Sequence, residues 1–144
     1  MQFPASIALA ISVALGTNMP PPTPPPPPQA QTVKEYVQDY FADEPIMIAV
    51  AQCESHFRQY DLKGAIYRGV QNNLDVGVMQ INEYYHLSEA TKLGYDIYSV
   101  SGNVAYARYL YERQGTAPWS ASEPCWGKKV ASVKTAKALA TIGK

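Results

Sequence analysis

Ile48-Ala-Val-Ala-Gln-Cys-Glu54-Ser55-His-Phe57, followed later by Asp75-Val-Gly77-Val-Met79-Gln80-Ile81-Asn82, are the segments that decide how this chain reads. Around the first, Ile46, Ala49, Val50, Cys53 and Phe57 recur at i, i+3, i+4, i+7 and i+11, which predicts a helix with one buried stripe. Asp43-Glu44-Pro45 supplies its start, with Asp43 as cap, Pro45 in the first turn and the acids at the positive end of the dipole. Glu54 follows Cys53, one turn above Val50 and two above Met47, so its carboxyl falls at the edge of the apolar face. Partial removal from water disfavours the charged form and raises a carboxyl pKa, which is what a general acid near neutral pH requires. A glutamate at such a boundary is more often a solvated neighbour of the core. The segment downstream changes that weighting.

Ala65–Tyr67 and Val76–Ile81 are rich in strand formers, with Gln71-Asn72-Asn73 between them as turn material, and predict a β-hairpin whose first arm is punctuated by Gly64 and Gly69. Asp75 opens the second arm. Folded back over the helix end, this hairpin sets Glu54 and Asp75 on either side of one cleft. Two carboxylates across a groove are the minimal equipment for breaking a glycosidic bond: one protonates the leaving oxygen, the other is nucleophile, base or stabiliser of the oxocarbenium-like transition state.

These two segments, in this order, resemble the lysozyme-like superfamily. They are similar both to the soluble lytic transglycosylases, with their E-S and G-L-M-Q-I elements, and to animal-type lysozymes, with E-S-x-F and D-x-G-x-x-Q-I-N. Asn103-Val-Ala105, Gly115 and Trp119 loosely resemble the helix and tryptophan loop that complete such sites, so the likeness covers roughly residues 43 to 126. It implies an α+β, mostly helical lysozyme-like fold with a small β-hairpin beside the active-site cleft. It further implies Glu54 as general acid, Asp75 as second catalytic carboxylate, and Ser55 supporting the helix end within a substrate-binding set that includes Gln80 and Asn82. The implied substrate is the β-1,4 MurNAc–GlcNAc strand of peptidoglycan, with no metal and no organic cofactor. Two departures leave hydrolysis and internal transglycosylation both open. The tyrosine-asparagine-alanine-glycine element of lytic transglycosylases is replaced by Tyr111-Glu-Arg-Gln-Gly115, and Glu54 and Asp75 are spaced slightly more widely than in lysozymes of that type.

Farther along, Ser88–Leu93 predicts a short helix closed by Gly94, and a longer one runs from Ser101 or Asn103 to Gln114 with Gly115 as its C-cap. Val104, Ala107, Leu110 and Tyr111 share its core face, with Tyr106 and Tyr109 flanking it within reach of a sugar. The chain has 11 tyrosines. Aromatic rings suit carbohydrate because pyranose C–H faces are apolar while phenol hydroxyls hydrogen-bond. Tyr106 therefore joins the substrate-binding set, although for any single tyrosine the core is the more frequent place; Trp119 joins it through the resemblance, and Tyr84-Tyr85-His86 is a looser candidate for the cleft wall. Cys53 and Cys125 are the only two cysteines, so a single bridge closing a long loop is the preferred reading, worth roughly 4 kcal/mol in the chain-entropy model. A core thiol or a cysteine nucleophile is the alternative. His56 and His86 form no ligand pattern with them for structural zinc. The bridge would staple a Ser/Pro/Gly-rich loop carrying Pro118, Trp119 and Trp126 to the residue beside Glu54.

The flanks define compartment. Ala5–Leu15 is apolar and followed by small residues, as in an export signal (1–19), although Met1-Gln2-Phe3 lacks the usual positive charge. Eight of the 12 prolines fall in Pro20–Pro28, an extended spacer (20–30) unable to join a core. The catalytic domain is expected over 31–127 and a basic tail over 128–144, frayed or weakly attached. Lys34–Trp126 holds seven basic residues against twelve acidic ones, whereas the tail carries five lysines and no acid. The tail serves either solvation or adhesion to an anionic polymer. Zero net charge argues against a nucleic-acid binder, and no apolar run spans a membrane. The expectation is a monomeric secreted or envelope protein. A non-catalytic peptidoglycan-binding module with the same fold is the alternative to an enzyme.

Overall fold

A computed structural model describes residues 30–142, with side chains described up to Ser132. The export segment and most of the proline spacer lie outside these residues. The described chain is mostly helical with one two-stranded antiparallel sheet, an α+β arrangement. Its elements are α1 (Val33–Tyr40), α2 (Pro45–Ser55), β1 (Asp75–Val76), β2 (Ile81–Asn82), α3 (Glu83–Lys92), α4 (Val100–Gln114), a 3₁₀ segment (Ala117–Ser122) and α5 (Glu123–Ile142). None of the described helices is long and apolar enough to cross a membrane.

Helix α2 is central, packed against α1, the 3₁₀ segment and α5. Its buried face is Met47, Val50, Ala51 and Ser55, together with Ala49. This is rotated from the expected stripe: Ile46, Cys53 and Phe57 are only partly buried. A helix apolar nearly all round, and covered from several sides, does not confine its core contacts to one periodic line. The expected cap also differs. Asp43 is paired with Arg108 of α4 (2.7 and 3.0 Å), Glu44 occupies the cap position without a side-chain hydrogen bond, and Pro45 starts the helix. Helix α1, for which no expectation was formed, begins at a capping box in which Thr32 and Glu35 satisfy each other's backbone N–H, and it delivers Val37 and Phe41 to the core.

The expected second strand, Val76–Ile81, is instead a hairpin in itself. Asp75 pairs with Asn82 and Val76 with Ile81, and the chain reverses between them through Gly77 (φ 74°) and Gln80 (φ 50°). Val78 and Met79 are apolar because the turn, not a strand, is buried. The expected first arm, Ala65–Tyr67, forms no strand: Ile66 bridges back to Tyr60, and Arg68, just past the arm, bridges Val76, flanked by Gly69 N–H to Asp75 O and Gly77 N–H to Tyr67 O (2.9 and 2.8 Å).

Two fully buried amides hold this turn. Asn103 of α4 accepts from Met79 N–H (2.9 Å) and donates to Val76 O (3.0 Å) and Ile97 O (2.8 Å). Gln59 accepts from Val78 N–H (2.8 Å) and donates to Tyr98 O (3.1 Å). With Ser55 Oγ donating to Val78 O (2.8 Å) and the Trp119 indole to Met79 O (2.8 Å), the N–H and C=O groups of both buried turn residues are matched, the condition for burying irregular backbone. A Cβ at residue 77 would lie 2.5 Å from the Asn103 amide nitrogen and 2.7 Å from Gln59 Oε1, so only glycine fits.

Helices α3 and α4 appear where expected, α3 starting earlier, at an Asn82 cap, and α4 running from a Ser99 cap to Gly115. The segment expected as a loop around Trp119–Trp126 is 3₁₀ and then α5, which continues through Ile142. The boundary drawn after Gly127 therefore falls within a helix. Cys53 and Cys125 are joined across α2 and α5 (Cα–Cα 6.0 Å), as an oxidising compartment permits.

Candidate active site

Glu54 sits in the last turn of α2, where the helix stops abruptly. His56 (φ 55°) and Phe57 (φ 61°) both adopt the left-handed conformation that non-glycine residues avoid, at a cost of roughly 1–3 kcal/mol each. Ser55 stabilises this stop. Its buried hydroxyl donates to Val78 O (2.8 Å) and accepts from Arg58 N–H (3.0 Å), while Arg58 Nε donates to Ser55 O (2.8 Å). One serine thus ties the helix end to the buried turn. It cannot line a substrate site, because it has no exposed surface. Its place in the substrate-binding set is corrected to a support beneath Glu54.

The groove above α2 has two lobes of about 330 and 320 Å³. Glu54, Asp75 and Gln80 line both, so the carboxylates stand where the lobes meet. One lobe is walled by His86, Leu110, Pro118 and Trp119, the other by Tyr67, Gly69, Gln71 and Asn72. Glu54 is largely withdrawn from water, and burial is the chief reason its pKa stands above the ordinary 4.5, with the nearby Asp75 charge adding to the rise. Ser122 opposes them by donating to Oε1 at 2.6 Å. That bond occupies one carboxyl oxygen and leaves Oε2 to carry a transferable proton. The disulfide and Ser122 lie on either side of the α5 start, so this helix end is fixed to the acid covalently and by hydrogen bond.

Asp75 is held differently. Its Oδ1 accepts from the amides of Asn82 (2.7 Å), at the end of β2, and of Asn72 (3.3 Å), in the loop before β1. Asn82 lines the groove, but its amide is already engaged, donating to Asp75 and accepting from Tyr85 N–H (3.3 Å) to cap α3. Gln80 lines both lobes with its amide nitrogen on Gly77 O (2.9 Å).

Trp119 walls one lobe and is buried, with its indole N–H on Met79 O (2.8 Å). Tyr106 does not line the groove. It is fully buried, packed against His86 and Tyr109, with its hydroxyl on Glu89 (3.2 Å). Its position on α4 turns it inward, beneath the groove wall instead of onto it. The wall residue at that point is His86, whose pKa is lowered, mainly by burial. Gln59 and Ser122 are supporting residues absent from the sequence-based expectation, which named Asn103 only as part of the helix that resembles those completing such sites. Among the described residues no cluster of His, Cys, Asp and Glu could hold a metal ion. The chain matches no protein-family model, no curated protein and no solved structure.

Proposed function

We propose that the chain has a lysozyme-like fold and cleaves the β-1,4 bond between MurNAc and GlcNAc in peptidoglycan, with Glu54 as general acid. The observation that carries this reading is a carboxyl group of raised pKa at the midpoint of a two-lobed groove, opposite a second carboxylate gripped by amides. A groove open on both sides of the acid suits a polymer threaded past it, with one sugar in each lobe next to the scissile bond.

In the first step the proton on Glu54 Oε2 passes to the bridging oxygen as the C1–O bond breaks, and the leaving chain departs as an alcohol. Positive charge develops at C1 and the ring oxygen, and Asp75 faces it, either stabilising the cation or bonding to C1. Glu54, now a carboxylate accepting from Ser122, next removes a proton from the acceptor. If water is the acceptor the product is a reducing MurNAc; if the acceptor is the 6-hydroxyl of the same MurNAc, the product is a 1,6-anhydro sugar. The residue roles are the same for both acceptors until the second step.

Mass spectrometry of soluble products from purified peptidoglycan, using the full chain with Glu54→Gln beside it, tests the proposal. Fragments ending in reducing MurNAc identify a hydrolase, and fragments lighter by one water identify a lytic transglycosylase. Absence of fragments from the native chain overturns the enzymatic reading in favour of a wall-binding module. Equal digestion by Glu54→Gln overturns the role given to Glu54.

A further inference from the structure

We propose that His86 is a substrate-binding residue whose Nε2 accepts a hydrogen bond from the N–H of a 2-acetamido sugar, in a ring state set by Tyr106 and Glu89. The proposal rests on the glycan-binding reading of the groove and names the group recognised in one lobe.

Tyr106 carries one hydroxyl hydrogen, and Glu89 Oε2, an acceptor only, lies 3.2 Å from it. Glu89 Oε1 is occupied by the Tyr109 hydroxyl at 3.0 Å, so the carboxylate is gripped by two phenols. With its hydrogen committed to Glu89, the Tyr106 oxygen can only accept. Its remaining neighbour is His86 Nδ1, at 3.2 Å. Nδ1 must therefore bear the ring proton, a tautomer assigned from the network. Stacking of Tyr106 on Tyr109 (5.6 Å) and packing against Tyr95 (5.7 Å) keep the phenol from turning away.

In the neutral ring Nε2 is then an acceptor. Among the described residues it has no hydrogen-bond partner, yet no buried side-chain nitrogen or oxygen is left unpaired, so Nε2 reaches solvent. His86 lines the lobe next to Glu54, together with Ile81, Leu110, Pro118 and Trp119. The same lobe also carries Glu54, Asp75, Gln80, Asn82, Tyr85 and Gln114, so the His86 acceptor stands between polar and apolar surface. An acetamido group presents an N–H and a methyl together and meets both, whereas a hydroxyl or a free amine in its place leaves the apolar surface unused.

The test uses the full chain with Glu54→Gln, so that sugars bind without being cut, labelled with ¹⁵N-histidine. The probes are the GlcNAc trimer and its de-N-acetylated counterpart. The expected result is a protonated Nδ1 and unprotonated Nε2 in the free protein, with the Nε2 signal moved by the acetylated trimer. His86→Ala should weaken that trimer by about tenfold relative to the de-N-acetylated one, the scale of one lost hydrogen bond. Tyr106→Phe, which keeps the ring and removes only the hydroxyl, should mix the two tautomers and reduce the same preference. A protonated Nε2 in the free protein, an unchanged preference in His86→Ala, or failure of the acetylated trimer to bind overturns the proposal. If the trimer binds with the His86 response but the native chain releases no peptidoglycan fragments, the proposal stands and the cleavage reading falls. Cleavage with a silent His86 does the reverse.

Discussion

The two walls that carry Glu54 and Asp75 are built on opposite plans. Glu54 projects from a helix packed on several sides, with a disulfide at the preceding residue and a serine hydroxyl as its one hydrogen-bond donor. Asp75 projects from a two-residue strand between turns, with two side-chain amides donating to one of its oxygens. Burial with few donors favours the protonated form of a carboxyl. The difference teaches that the element beneath a carboxyl sets its surroundings: burial raises the Glu54 pKa on the helical wall, whereas two amides fix the orientation of Asp75 on the turn wall.

The sharpest way to break that comparison is to remove the transferable proton. Glu54→Gln should lower glycan cleavage by at least about 10²–10⁴-fold, measured as solubilisation of purified peptidoglycan. The same variant should be more stable at neutral pH, where the native chain carries the buried charge that burial disfavours. The sign follows from the raised folded-state pKa. The native fold binds this proton more tightly than the unfolded chain, so stability falls as pH rises through 4.5 towards the folded value. The advantage of Glu54→Gln should accordingly vanish below that window, which denaturant titrations at several pH values will show.

Next in size is the staple of the helical wall. Replacing Cys53 and Cys125 together by serine should cost about 4 kcal/mol for a bridge spanning 72 residues, seen as a large fall in melting temperature. The turn wall has its counterpart in Asn103→Ala, which removes the side-chain partner of Met79 N–H and of Val76 O and leaves Ile97 O only the long bond from Gln59 Nε2 (3.4 Å). A loss of roughly 2–4 kcal/mol is expected in chemical denaturation, with hydrogen exchange quickening first at residues 76–79.

The smallest effect sharpens the comparison without breaking it. Ser122→Ala removes the donor that holds the Glu54 pKa down, so the alkaline limb of the kcat/KM profile should move to higher pH. A shift to lower pH would mean that the hydroxyl acts on the protonated form instead.

How far the sequence revealed these walls follows from the reach of the interactions. The helical wall was legible because its signals are local: apolar spacing, Pro45 at the start, and Glu54 two turns above Met47. Even there the buried face was rotated, since a helix covered on several sides leaves no clean period. The capping box Thr32-x-x-Glu35 was written in the chain and passed over, and α1 with it. The turn wall was harder. Val76–Ile81 reads as a strand because it is apolar, and only the left-handed conformations of Gly77 and Gln80 make it a reversal. The residues that stabilise that reversal, Gln59 and Asn103, act on backbone 19 to 39 residues away, beyond any periodic pattern. Tyr106 was set on the groove surface by helical spacing, which places a residue on a face without saying how deeply its neighbours cover it.

The central claim is that the helical wall makes Glu54 the proton donor, and titration of its carboxyl carbon by ¹³C NMR, in the native chain and in Asp75→Asn, tests it most directly. The account predicts a Glu54 midpoint above 4.5 in the native chain, falling when the Asp75 charge is removed. A midpoint at or below 4.5, or one indifferent to Asp75, would contradict it.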